Sequence, residues 1–224
     1  MRKIVNLLRY MAIRLLFRNR YYWKYRGKKT ARDFWNNRND LSNEFLHRVL
    51  NNLEFKTVLE IGSNCGNRLW GLGLKYPEAH FTGIDLNHHA IEFGNAELRK
   101  AGIRNIDLVR GEAGNVRSTL SDSVDLVFSW ATLMYIGPRD IEHVMNEIVL
   151  TASKTIVLIE MQDDKLSSEK TFRGILVPPR NWKRNYVKIL KELGIMEKQI
   201  EVMDVPEHVW CPGGGHAKAI IVTR

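Results

Sequence analysis

From residue 57 onward, short apolar runs alternate with amphipathic stretches. Thr57–Ile61, Phe81–Asp85, Ile106–Arg110, Val124–Ser129 and Thr155–Glu160 each read as one strand. Val124–Ser129 is close to a continuous apolar run, the mark of a sheet covered on both faces. The intervening stretches have helical spacing. Arg68–Lys75 forms a helix that stops before Pro77. A second begins at Leu86-Asn87-His88-His89, runs to about Ala101 and ends near Gly102. A third spans Arg139 to about Leu150, and a fourth lies near Trp182–Leu193, ending at Gly194. Leu41–Leu53 is an amphipathic helix leading into the first strand, and Thr30–Arg38 begins another ahead of it. The last two strand runs, Ile200–Asp204 and Ala217–Val222, have no helix between them and fit an antiparallel pair. The pattern predicts a single α/β unit: a seven-stranded, mostly parallel sheet with helices on both faces and an antiparallel C-terminal strand pair. No internal repeat or low-complexity linker divides it.

Residues 1–29 follow a different pattern. Ile4, Leu8, Met11 and Leu15 fall on one helical face, with Arg2, Arg9, Arg14 and Arg18 largely away from it. Residues 20–26 then mix aromatics with cations. This divides the chain into a basic amphipathic N-terminal extension, 1–29, and a domain, 30–224. The net charge of +9 belongs to the extension: residues 1–32 hold eleven Lys and Arg and no acidic residue. The remaining chain carries 23 basic and 25 acidic residues, a net of −2. No apolar run approaches the roughly 18 residues that span a bilayer, and Arg9 and Arg14 interrupt the stretch too early for a secretory signal. Three readings stand: peripheral contact with an anionic membrane surface, a helix packed on the domain, or an organellar presequence or RNA-binding arm. Two cysteines, Cys65 and Cys211, make no disulfide framework, so the expected location is cytoplasmic, with peripheral attachment at the cytoplasmic face of a membrane if the first reading holds.

The chemistry concentrates where the first strand ends. Thr57-Val58-Leu59-Glu60-Ile61 runs into Gly62-Ser63-Asn64-Cys65-Gly66-Asn67, and the second strand ends in Asp85, nineteen residues after Gly66. Glycines at such a turn let the backbone approach a ligand closely, and a carboxylate at the next strand end can accept hydrogen bonds from both hydroxyls of a ribose. This is a nucleotide-site pattern.

With these residues the chain resembles the class I S-adenosylmethionine-dependent methyltransferases, from about Phe34 to the C-terminus. Their first motif reads roughly E-x-G-x-G-x-G; here Glu60, Gly62, Asn64 and Gly66 occupy it, with Asn64 in place of the middle glycine. Asparagine tolerates left-handed backbone best after glycine, so the turn can persist. The resemblance implies a Rossmann-like fold and S-adenosylmethionine as cofactor. It implies cofactor contacts from Glu60, Gly62, Ser63, Asn64 and Gly66, from Asp85 and Leu86 at the ribose edge, from Glu112 and Ala113 at adenine, and from Ser129 at the end of the fourth strand. Phe34 and Trp35 either cover the methionine end of the cofactor or plug the edge of the core.

The acceptor is less defined. Ser129-Trp130-Ala131-Thr132 stands where similar nucleic-acid amino-methyltransferases carry Asp or Asn, two prolines and an aromatic, so nucleic acid is disfavoured. A hydroxyl on a glycan, a lipid-linked sugar or a small metabolite is the expected acceptor, and a hydroxyl gains from a general base. Glu160 and Asp163, at and just beyond the carboxyl end of the fifth strand, are the favoured candidates; Asp164, Tyr135, His143, His208 and His216 are others. No metal is expected: His208, Cys211 and His216 match no standard zinc spacing. Two further functions compete. A nicotinamide-dependent reductase needs G-x-G-x-x-G, and Asn64 and Asn67 hold the second and third glycine places. The other is a non-catalytic module that binds S-adenosylmethionine or tethers a partner complex to membrane or RNA.

Overall fold

The structure, a computed structural model, describes residues 19–177, 181–210 and 217–224. The predicted Ile4–Phe17 helix, Cys211, the Pro212–Gly215 connection and His216 lie outside the described residues. The chain enters through α1 (Asn19–Lys24), α2 (Lys28–Asn36) and α3 (Leu41–Leu50). There follow β1 (Thr57–Ile61), α4 (Asn67–Lys75), β2 (His80–Asp85), α5 (His88–Lys100), β3 (Ile106–Arg110), α6 (Val116–Thr119) and β4 (Val124–Trp130). The chain continues as α7 (Ile141–Thr151), β5 (Ala152–Glu160), β6 (Ile175–Val177), β7 (Asn181–Lys183), α8 (Tyr186–Glu192), β8 (Ile200–Asp204) and β9 (Lys218–Thr223).

Seven strands form one sheet in the order β3-β2-β1-β4-β5-β9-β8. The first five are parallel; β9 runs antiparallel to both β5 and β8. Alternate side chains of each strand point to opposite faces, and both faces are covered. Val58, Phe81, Leu126, Phe128, Val157 and Ile159 join the core under α2 to α5. Leu59, Ile61, Ile84, Val127, Ile156 and Leu158 join the core under α7 and α8. This is the Rossmann-like architecture expected. The chain reverses its direction of strand addition between β1 and β4, and that switch point opens a crevice at the carboxyl ends of the strands.

Several helices begin where the sequence provides a cap. Asn87 accepts from the N–H groups of His89 and Ala90 at the start of α5, and Asp40 from Asn43 N–H at α3. One expected element is corrected. Trp182 does not begin a helix: it sits in β7, paired with β6 in a small separate hairpin. The helix starts at Tyr186 because Asn185 caps it, its side chain accepting from Lys188 N–H. The third expected helix begins at Ile141 instead of Arg139, after Gly137-Pro138, and runs into a β5 that starts three residues earlier than expected.

Candidate active site

The glycine turn between β1 and α4 is built as the sequence demanded. Gly62, Asn64 and Gly66 have φ of 76°, 51° and 72°, all left-handed. The turn is tied to β2: Gly62 N–H and Ser63 N–H both donate to Ile84 carbonyl, at 2.8 and 3.0 Å. A Cβ on Gly94, in α5, would stand 2.3 Å from the carbonyl oxygen of Cys65, so α5 lies directly against the turn. Asp85 closes the arrangement. Its Oδ2 accepts from Asn64 N–H at 2.9 Å and its Oδ1 from Asn87 N–H at 2.8 Å, fixing the carboxylate with further lone pairs on both oxygens. Burial raises the Asp85 pKa; the N–H groups of Asn87 and Asn64 work against that.

A cavity of about 1280 Å³ opens above this turn. The strand order arranges its lining groups in a row. At the β3 end stand Glu112, Ala113 and Gly114; at β2, Asp85 and Leu86; at β1, Gly62 and Asn64; at β4, Trp130, Ala131, Thr132 and Tyr135. Arg68, in the first turn of α4, also lines the cavity and lies over the Trp130 ring, 4.9 Å from its centroid. Trp182 and Leu176 reach the cavity from the β6–β7 hairpin.

Not every predicted residue faces this space. Gly62, Asn64, Asp85, Leu86, Glu112 and Ala113 line it; Glu60, Ser63, Gly66 and Ser129 do not. Glu60 is wholly buried beneath the turn. Burial pushes its pKa up to about 8, with Arg68 pulling it down and Asp85 adding to the rise. Ser63 is buried against Gly83, where an added Cβ would meet its side chain at 2.7 Å. Gly66 supplies left-handed backbone, and Ser129 donates to Glu160 at 3.0 Å. Phe34 lines the cavity while Trp35 is buried in the core against Trp70, so the two expectations for this pair divide between them.

Neither favoured base opens on the cavity. Glu160 is fully buried. Its Oε1 accepts from Ser129 hydroxyl and from the N–H groups of Thr132 and Leu133, both at 2.9 Å, and its Oε2 from Met134 N–H at 3.2 Å. A carboxylate engaged by four donors has no vacancy for an acceptor's proton. Asp163 forms an ion pair with Lys183 at 2.6 Å, which holds its pKa below the usual range. Asp164 accepts from Gln162, and His208 is exposed away from the cavity lining. Tyr135 and His143 do line the cavity. The His143 ring sits 2.7 Å from Gly114 carbonyl, and burial raises the Tyr135 hydroxyl to about 12, leaving it protonated at neutral pH.

Residues before 30 also line the cavity, in keeping with the reading of this segment as a helix packed on the domain. Arg20 reaches both oxygens of Glu112 at 2.5 Å, and the Trp23 ring lies 4.9 Å from the Tyr135 ring. Both residues line the cavity, and Arg26 carbonyl accepts from the Asn87 side chain at 3.1 Å. Helix α1 therefore crosses the mouth from the β3 end to the β4 end. The described part of the presumed extension packs on the domain.

Residues 58–152 match the family described as "Methyltransferase domain". Over that stretch, from β1 to the start of β5, the chain is similar to methyltransferase domains. Solved structures share its fold. Magnesium protoporphyrin IX methyltransferase (ChlM) from Synechocystis PCC 6803, with bound S-adenosylhomocysteine (SAH), superposes with a TM-score of 0.65 at 14% identity, covering 92% of this chain and 97% of that one. The N-terminal domain of EvdMO1 with SAH bound gives 0.61 at 13% identity, over 83% and 81%. The fold carries other chemistry as well: the [4+2]-cyclase SpnF gives 0.60 at 12% identity, covering 75% of this chain and 61% of that one. A curated relative, an uncharacterised protein of Rickettsia prowazekii (strain Madrid E), is 36% identical over 55 residues; the match covers 25% of this chain and spans a tenth of that relative's length.

The residues present fit S-adenosylmethionine. Asp85 is fixed with lone pairs to spare, the turn is left-handed at each required position, and Glu60 Oε2 is a buried carboxylate oxygen with no partner beneath the turn.

Proposed function

We propose that this protein transfers the methyl group of S-adenosylmethionine to an oxygen of a small acceptor, a hydroxyl on a glycan, a lipid-linked sugar or a small metabolite. When bound, the cofactor supplies a methyl group already activated by its sulfonium, so the protein's task is alignment. Asp85 is proposed to hold the ribose, Glu112 and Ala113 the adenine, and the turn at Gly62–Gly66 the amino-acid portion. The order of strand ends then directs the methyl group toward β4, where Trp130, Thr132, Tyr135, Trp23 and Trp182 form the acceptor side.

The size of the cavity carries this reading. At about 1280 Å³ it exceeds the roughly 300–1,000 Å³ of a typical single-ligand pocket, leaving room for a second molecule beside the cofactor. Aromatic faces suit the apolar side of a sugar ring or a planar metabolite. The N-terminal domain of EvdMO1, of the same fold, has been crystallised with SAH in the presence of D-fucose.

The proposal extends to location. Tyr21, in α1, and Tyr25, just after it, are exposed and stack at 6.3 Å, and Lys24 lies 5.6 Å over Tyr25. Cations beside exposed aromatics suit an anionic bilayer surface, so residues 1–29 are proposed to hold the protein peripherally at the cytoplasmic face of a membrane that bears its acceptor. Among the described residues no helix is long and apolar enough to cross a membrane.

The test is transfer of a tritiated methyl group from S-adenosylmethionine into a cell extract, fractionated into lipid, glycan, small-molecule, RNA and protein pools. The proposal expects label in the glycan, lipid or small-molecule pool. Label confined to RNA or protein, or none above an Asp85→Ala control, contradicts it.

A further inference from the structure

The segment after β4, Ala131 to Ile136, forms the wall of the cavity on the proposed acceptor side: Ala131, Thr132, Tyr135 and Ile136 all line it. The segment's regular structure is one short 3-10 turn, Leu133–Tyr135. Ala131 has a left-handed φ of 50°, unusual for a residue with a side chain. The Thr132 side chain stands where a Cβ on Gly62 would be, 2.3 Å away, so the wall abuts the glycine turn with no slack.

Two wholly buried charges grip this segment through its main chain. Glu160, from the end of β5, accepts the N–H groups of Thr132, Leu133 and Met134. Arg184, just beyond β7, donates to the carbonyls of Leu133 at 3.0 Å and Ile136 at 2.6 Å. The negative side chain thus takes donors and the positive one takes acceptors from the same short stretch. Burying two charges is costly before pairing, and here the main chain of the wall supplies their partners. The expenditure fixes the wall's backbone.

We propose that Glu160 and Arg184 are a positioning pair: they hold the 131–136 wall, and through it Thr132 and Tyr135, in the geometry that places the acceptor against the methyl group, without touching either. This rests on the acceptor side assigned above. The pair explains why Trp182 and Arg184 sit in a hairpin attached beside the sheet, since Gly174, at φ 140°, packs against both side chains and brings β6–β7 to the wall.

The test compares wild type with Glu160→Gln, which keeps the shape and one acceptor oxygen but turns an amide NH2 toward either Met134 N–H or the N–H groups of Thr132 and Leu133, and with Arg184→Lys, which keeps the charge but loses the fork. Three quantities are read: hydrogen exchange of the peptide covering 131–136, calorimetric affinity for SAH, and tritium transfer into cell extract. Both variants should exchange the 131–136 amides at least about tenfold faster, with β1 and β2 amides unchanged. SAH affinity should stay within about threefold while transfer falls at least about tenfold, the milder loss in Arg184→Lys. Unchanged exchange in the wall overturns the proposal, as does loss of SAH affinity in step with transfer. If neither variant folds, the two charges carry the domain instead of the wall, and the proposal is equally overturned. Should wild type bind SAH yet transfer nothing, the assignment of the acceptor fails on its own, and a wall that loosens without loss of SAH affinity still supports the positioning pair.

Discussion

Glu60 and Glu160 are both strand-end carboxylates with no exposure, yet their surroundings assign them opposite work. Glu160 meets four donors, which work against the rise in its pKa that burial causes, and its work is structural. Glu60 has a buried oxygen without a partner, and burial pushes its pKa up to about 8. A raised carboxyl pKa in the folded state means that the unfolded chain releases its proton first as pH rises. Glu60 therefore costs nothing below its unfolded value near 4.5, and its cost grows until pH passes about 8. Glu60→Gln should leave the melting temperature of the cofactor-free protein nearly unchanged at pH 4.5 and raise it at pH 8, by a few degrees or more. Equal melting shifts at the two pH values would contradict the assignment. Arg20 and Glu112 make the opposite case. Their ion pair is largely exposed, 56% and 37% for the two side chains, and such pairs contribute about 0–1 kcal/mol. Arg20→Ala should shift the melting temperature little, and any effect should appear in SAH affinity.

At the scale of elements, the packing of α5 against the glycine turn decides whether a cofactor can be held. Gly94→Ala pits two effects against each other. Alanine favours an exposed helix interior over glycine by about 1 kcal/mol. Here, however, the added carbon would meet the Cys65 carbonyl at 2.3 Å, a backbone atom with nowhere to move. The clash should win: urea denaturation should show a loss of about 1–3 kcal/mol, with SAH affinity reduced at least tenfold as the turn shifts. A variant as stable as wild type would show that α5 can slide freely. The elements most legible in the sequence were those with strong local signals. Strand β1, the left-handed Asn64 and the Asp85 strand end were all readable because a turn and a strand terminus constrain residue type directly. The β6–β7 hairpin was not, since Trp182 and the residues after it have helical spacing and only Asn185, as cap, marks the true start. The roles of Glu160 and Arg184 were not readable either. Position at a strand's carboxyl end suggests catalysis, but the partners of a side chain come from distant segments. The same holds for Arg20 and Trp23: a basic aromatic stretch has no local mark of the cavity it closes.

For the whole molecule, α1 ties the chain's most basic region to its cavity. Arg20 and Trp23 face inward while Tyr21 and Tyr25 face outward. Two truncations separate the roles. Removing residues 1–18, which carry five Lys and Arg, should weaken binding to vesicles of phosphatidylserine and phosphatidylcholine while leaving SAH affinity intact. Removing residues 1–26 should also lower SAH affinity several-fold, because the roof of the cavity goes with it. Full vesicle binding by the protein lacking residues 1–26 would contradict the membrane assignment without touching the cofactor site. That site rests on the switch point between β1 and β4, where one carboxylate is fixed by two backbone N–H groups. The most direct measurement is calorimetric titration of the full chain with SAH, beside Asp85→Ala. The account predicts saturable one-to-one binding in the micromolar range by wild type and a loss of at least a hundredfold in the variant. No heat of binding at millimolar SAH, or equal affinity for both proteins, would contradict it.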